Sequence, residues 1–272
     1  MRGKFITFEG GEGAGKSTQA NLLAARLRAQ GIDVVLTREP GGSAGAEIIR
    51  HVLLSGAAKP LGAEVEAVLF AAARADHLDH VIRPALERGS WVVCDRFADS
   101  TRVYQGALGK VDPRILSGLE RVTVGDAIPD LTVILDLAAD LGLQRARSRA
   151  AGGDSDRFEK EGLDFHEQLR AAYRDIAARE PGRCILIDAS GSENKVADDV
   201  WTTVRDRLGL APAALAAGAW GNGNSAPGRP RATRLLRRHE VAGLPGAVEP
   251  GLPTRAAVDG AEHAVAPLRD HH

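Results

Sequence analysis

The chain has 272 residues, 44% of them apolar and 26% charged, with a formal net charge of −1. That length allows one large domain or two small ones; the near-zero balance gives no global electrostatic ground for a nucleic-acid partner, and no apolar run is long enough to cross a bilayer. No secretory apolar stretch follows Met1, and Cys94 and Cys184 both sit in apolar runs as buried thiols, so a reducing cytoplasm is expected.

The apolar run 4–8 reads as a buried strand. It leads into Gly10-Gly11-Glu12-Gly13-Ala14-Gly15-Lys16-Ser17, which fits the phosphate-cradling pattern G-x-x-x-x-G-K-[ST]. A helical pattern follows, with Ala20, Leu23, Ala24 and Leu27 on one side. Gly31 stands where a left-handed helix cap belongs. Strand, loop and helix in this order are what the motif requires. Glycines let backbone N–H groups turn inward toward a polyphosphate, and the helix points its positive end at the anion. Lys16 puts a mobile cation on the transferring phosphates, and the Ser17 hydroxyl is suited to hold Mg2+. Gly10, Gly11, Glu12, Gly13, Ala14, Gly15, Lys16, Ser17 and the following Thr18 are therefore assigned to a triphosphate donor.

A second strand is expected over 33–37, with Arg38 at its carboxyl end. Phe70 and Arg74, four apart on a helical stretch, share a face. Gly89 marks another helix end before a third strand, Trp91–Asp95, and Arg96 follows directly. Leu131–Asp136 and Cys184–Asp188 complete five strands separated by helical stretches. This alternation predicts an open, mostly parallel α/β sheet with helices on both faces. Ligands in such sheets bind beyond the carboxyl ends of the strands, where Arg38, Asp95 and Arg96 stand. Arg145, Arg147, Arg149 and Arg157 surround the loop 150–156, in which Gly152-Gly153 supplies hinge-like freedom. Beyond residue 210 the chain turns rich in Ala, Gly, Pro and Arg: 221–228 has linker composition and 229–239 carries five arginines. Two parts are expected, a folded 1–210 and a disordered tail 211–272.

Four further segments accompany the P-loop in order. They are Thr37-Arg38-Glu39-Pro40-Gly41-Gly42, Leu69-Phe70-Ala71-Ala72-Ala73-Arg74, Asp95-Arg96-Phe97-Ala98-Asp99-Ser100-Thr101-Arg102-Val103-Tyr104-Gln105-Gly106, and Asp156-Arg157-Phe158-Glu159. The ordered set resembles the bacterial thymidylate kinases, over about residues 1–210. The resemblance implies a three-layer α/β/α fold of the P-loop nucleoside monophosphate kinase kind, with a five-stranded parallel sheet in the order 2-3-1-4-5. It implies Mg2+-dependent phosphoryl transfer from ATP to dTMP, no nucleic-acid or membrane partner, and commonly a homodimer, although no interface is legible in the sequence.

Roles follow from the same resemblance. Arg38 and Arg96 would hold the acceptor phosphate, Glu12 would face the deoxyribose 3′-hydroxyl, and Phe70 and Arg74 would meet thymine. Tyr104 and Gln105 would line the sugar and base pocket, with Ser100 as a polar contact nearby. Asp95 would join Ser17 at Mg2+. The bacterial pattern lacks a basic residue just before the Gly-Lys of the P-loop, here Ala14, and a lid arginine in 145–160 supplies the charge; Arg157 is the best placed in the sequence. Arg145 would pack on adenine, and Arg147 and Arg149 fit a lid or a solvated helix face equally.

Two other readings share the P-loop: a kinase for another nucleoside monophosphate, and a non-catalytic P-loop switch. A switch needs a water-positioning residue and partner-facing loops. This sequence spends its polar groups on a second anion site instead.

Overall fold

A computed structural model describes residues 2–150 and 161–210, without the side chains of Arg149 and Ala150. All of these belong to one unit, Met1–Ala217; the remainder, Gly218–His272, lies outside the described residues. The arginine-rich tail, the Gly152-Gly153 hinge and Arg157 are therefore also outside them.

Five parallel strands form a single sheet in the order β2-β3-β1-β4-β5: β1 Phe5–Gly10, β2 Val34–Arg38, β3 Trp91–Asp95, β4 Leu131–Asp136 and β5 Cys184–Asp188. The helices are α1 Lys16–Ala29, α2 Ala44–Leu54, α3 Gly62–His77, α4 Arg83–Glu87, α5 Ala98–Thr101, α6 Pro113–Thr123, α7 Ala139–Ala150, α8 Leu163–Arg179 and α9 Glu193–Leu208. A wider π-helical turn, Leu78–Ile82, joins α3 to α4, and another, Arg102–Leu108, extends α5.

The two-residue period of β1 explains the layering. Ile6 and Phe8 point toward α1 and α9, where Leu23, Leu27, Val200 and Val204 bury them. Phe5 points the other way, into Leu78, Ile82, Val92 and Phe97. Its ring meets Phe97 edge-on at 4.9 Å. Each such fully buried side chain contributes about 1.5–3 kcal/mol. A third cluster, with Val103, Ile134, Leu169 and Tyr173, seats α8 against the sheet.

Two strand boundaries differ from the sequence expectation. β1 runs on through Glu9 and Gly10, which pair with Ile134 and Leu135 of β4. A charged residue and a glycine there read locally as loop, but pairing with a neighbouring strand overrides propensity. β2 is shifted one residue, so that Arg38 pairs with Asp95. The predicted helix caps hold: Gly31 and Gly89 have φ of 78° and 90°.

Candidate active site

The P-loop joins β1 to α1 and lies over the carboxyl edge of the sheet. Its fit depends on a close approach by α7. A Cβ on Gly13 would lie 2.0 Å from the Gly142 carbonyl oxygen, and one on Gly142 would lie 2.4 Å from that of Glu12. Gly142 is thus part of the loop's support, though nothing in its local sequence marks it. Lys16 is buried and its Nζ donates to the Gly11 carbonyl at 2.7 Å. Burial, helped by the nearby Arg96 charge, brings the ammonium down to about 8. An incoming polyanion would restore its full charge. Ser17 Oγ donates to Asp95 Oδ2, while Asp95 Oδ1 is buried with no hydrogen-bond partner among the described residues.

Behind the loop lies a cavity of about 620 Å³ lined by residues of the P-loop, α1, α7 and the turn before α9, among them Gly13, Thr18, Gln144 and Arg145. Arg145 donates from Nη1 to the Ala189 carbonyl at 3.0 Å and from Nη2 to that of Ser190 at 3.3 Å, which holds its guanidinium plane at the cavity wall. Arg147 is exposed on α7.

A second cavity opens on the β3 side. Phe70, Arg74, Arg96, Ser100, Tyr104 and Gln105 all line it, with Glu39 and Phe97. Chain segments far apart in sequence, α3 and 96–105, are brought together there. At its inner end Glu12, Arg96 and Tyr104 form one cluster. Arg96 Nη2 donates to Glu12 Oε1 at 2.6 Å, the Tyr104 hydroxyl donates to the same oxygen at 2.8 Å, and the Arg96 guanidinium lies 5.3 Å over the Tyr104 ring. Burial alone would raise the Glu12 carboxyl; Arg96, Lys16 and the Tyr104 hydroxyl outweigh it and hold it at about 2. Glu12 is therefore an anion of the P-loop held against two residues of the second cavity's wall.

Arg74 is fixed before any ligand arrives. Its Nε donates to Glu39 Oε2 at 2.8 Å, and its Nη2 donates to Phe97 O at 3.2 Å and Thr101 Oγ1 at 3.1 Å. Glu39 also meets His77 Nδ1 at 3.2 Å, and His77 Nε2 lies 2.7 Å from Thr37 Oγ1. Glu39 and His77 were not singled out in the sequence. Glu39 stands inside the segment 37–42, but only the fold shows that it and the buried His77 serve Arg74.

Arg38 stands apart from these residues. It does not line the acceptor cavity; half exposed, it donates from Nη2 to Glu47 Oε1 at 2.8 Å, an oxygen that also takes the Gly42 N–H at 2.9 Å. A carboxylate one helix turn into α2 competes for it, a partner that sequence spacing did not suggest. Ser100 lines the cavity as a polar group, and its hydroxyl donates to Glu9 Oε2 at 2.7 Å.

Comparison with known proteins agrees with this geometry. The family model described as thymidylate kinase matches residues 8–200. A thymidylate kinase of Nitrobacter hamburgensis is 62% identical over 208 residues, covering 76% of this chain and 90% of that protein. Another, of Bradyrhizobium sp. strain ORS 278, is 61% identical over 213 residues, covering 78% of this chain and 94% of that protein. A crystal structure of thymidylate kinase from Ehrlichia chaffeensis superposes with a TM-score of 0.62 at 32% identity, covering 75% of this chain and all of that one. With its P-loop, its five-stranded parallel sheet and this extent of identity, the chain belongs to the thymidylate kinase family.

Proposed function

We propose that this protein phosphorylates dTMP, with ATP as donor, giving dTDP and ADP. The observation that carries the reading is the Glu12–Arg96–Tyr104 cluster: a P-loop residue is hydrogen-bonded to the wall of a second, arginine-lined cavity. Donor and acceptor sites are thus adjoining, as a transfer between two phosphate esters needs.

The chemistry asks little of acid–base catalysis. The acceptor phosphate is already a dianion near neutral pH, its second pKa being about 6. What opposes reaction is charge repulsion and misalignment. Lys16, swung from Gly11, neutralises the transferring phosphates. Arg96 holds the acceptor phosphate, and Arg38 joins it on leaving Glu47. Phe70 and Arg74 read the base, Glu12 takes the 3′-hydroxyl, and the Tyr104 ring under the sugar excludes a 2′-hydroxyl. A lid arginine, Arg157 foremost, completes the charge around the phosphoryl group. Arg145 backs the adenine.

Ser17 and Asp95 fit Mg2+. The buried Asp95 Oδ1, with no hydrogen-bond partner among the described residues, is suited to a hydrated cation. Bound there, Mg2+ would neutralise phosphate charge during the transfer.

We further infer a homodimer. Large exposed apolar side chains concentrate on α3 and the two helices packed against it: Val68 on α3, Ile48 on α2 and Val122 on α6. Sedimentation of the wild type and of Val122→Glu at micromolar concentration tests this, with a monomeric wild type overturning it. The free thiols Cys94 and Cys184 support a cytoplasmic setting.

The test of the activity is an acceptor panel with Mg-ATP, comprising dTMP, dUMP, UMP, CMP, AMP and GMP, read as ADP release. dTMP should be preferred. A preference for a purine or cytidine monophosphate would overturn the reading.

A further inference from the structure

The wall of the acceptor cavity is tied to a buried carboxylate that no substrate reaches. Glu9, in β1, is fully buried. Its Oε1 accepts the backbone N–H groups of Phe97 at 2.8 Å and Ser100 at 3.2 Å. Its Oε2 accepts the hydroxyls of Ser100 at 2.7 Å and Tyr173 at 2.9 Å. Phe97 occupies the cap position of α5 and has no oxygen to offer the helix start. Glu9 therefore supplies, from a different strand, the cap that the local sequence lacks.

The residue just before that cap is Arg96. Its φ is 70°, in the left-handed region that a side chain other than glycine's adopts only when its surroundings impose it. Two hydrogen bonds impose it here. The Arg96 N–H donates to the Phe8 carbonyl at 2.9 Å, and the next N–H, that of Phe97, donates to Glu9. Phe8 and Glu9 are consecutive residues of the strand that leads directly into the P-loop. The acceptor arginine and the donor loop thus hang from the same two residues.

We propose that Glu9 is a positioning residue for the transfer: by holding Phe97 and Ser100 it keeps Arg96 in its left-handed conformation, and so sets the acceptor phosphate in register with the P-loop. The proposal rests on reading Arg96 as a ligand of that phosphate. Stability alone does not account for a carboxylate here. Burial, and then the Asp99 charge, push Glu9 up to about 7, so that its ionised form is disfavoured in the fold.

The experiment compares Glu9→Leu, which removes both oxygens at similar volume, with Glu9→Gln, whose carbonyl can still accept from Phe97 and Ser100. Glu9→Leu should raise KM for dTMP about tenfold or more, with KM for Mg-ATP unchanged within about twofold, and Glu9→Gln should recover most of the loss. In an Arg96→Ala background Glu9→Leu should add less than about twofold, because it acts through that arginine. Unchanged dTMP kinetics in Glu9→Leu, an equal rise in both KM values, or a Glu9→Gln as impaired as Glu9→Leu would each overturn the proposal. If Glu9→Leu does not fold, Glu9→Asp carries the same expectation, since it keeps the charge but withdraws it by one methylene from Phe97 and Ser100; a wild-type dTMP KM there overturns it equally. Arg96→Ala alone separates the two readings. If it leaves dTMP binding intact, the phosphate assignment fails; if it weakens binding while Glu9→Leu does not, only Glu9 is misassigned.

Discussion

Tyr104 and Glu12 are joined by a 2.8 Å hydrogen bond from the phenol to Oε1, across the boundary between acceptor wall and P-loop. The bond orients a carboxylate that Arg96 also holds, at 2.6 Å. Tyr104→Phe keeps the ring and removes this donor. It should raise KM for dTMP by about ten- to a hundredfold, the value of one hydrogen bond to a charged group, with a smaller change in kcat. Tyr104→Ala should in addition narrow the preference for dUMP over UMP; an unchanged ratio would remove the ring from sugar discrimination.

Lys16→Ala should lower kcat by about 10²–10³ or more, as loss of a charge aimed at the transferring phosphates does. The fold should persist, because Lys16 contributes a single hydrogen bond to Gly11. Circular dichroism and an ADP-release assay on the same sample check both parts. Near-normal turnover would sink the P-loop assignment.

Glu9 and Glu12 give the stability profile two opposite flanks. Glu12 is held down from 4.5 to about 2, so its contribution is present above pH 4.5 and is lost as pH falls toward 2. Glu9 is raised from 4.5 to about 7, so stability is greatest below pH 4.5 on its account and declines as pH rises through 7. Thermal melts of Glu9→Gln should show a smaller drop in Tm between pH 5 and pH 8 than the wild type. An equal drop would mean that Glu9 does not carry the alkaline flank.

Gly142→Ala should be costly despite its place in a helix, where alanine is normally favoured. The new methyl would sit 2.4 Å from the Glu12 carbonyl oxygen, which is backbone and cannot swing aside. Overpacking of this kind costs about 1–3 kcal/mol, and displacement of the P-loop should raise KM for ATP. A stabilised variant with wild-type kinetics would show that α7 does not brace the loop.

We place the domain boundary near residue 210, where α9 ends and Gly209 closes it at φ 69°. A chain ending at 210 should keep kcat and both KM values within about twofold of the full chain. A large loss would assign the tail to the catalytic unit.

Much of the donor site was legible because its parts are contiguous. Gly10 to Ser17 run from the end of β1 into the start of α1, and the side chains of Ala20, Leu23, Ala24 and Leu27 are all buried, as their spacing predicts. The second cavity was legible as a set of residues but not as an arrangement. Phe70, Arg74, Arg96, Tyr104 and Gln105 do share a cavity, yet the buried pairing of Arg74 with Glu39, and of Glu39 with His77, joins α3 to a loop some 35 residues away. Glu9 was hidden by its own charge. A carboxylate after an apolar run reads as the start of a loop, whereas its place is inside the sheet.

The amino-acid sequence by itself determined the strand alternation, the phosphate loop and the family resemblance, since each rests on local periodicity or on fixed short spacing. Tertiary structure decided which charges act in pairs. It paired Arg38 with Glu47 outside the cavity, took the proton of Ser100 for Glu9, and twisted Arg96 into a left-handed turn between Phe8 and Glu9. These outcomes depend on burial and on partners from distant segments. A charged group out of water goes where its hydrogen bonds can be met, and only the packed sheet and helices fix where that is.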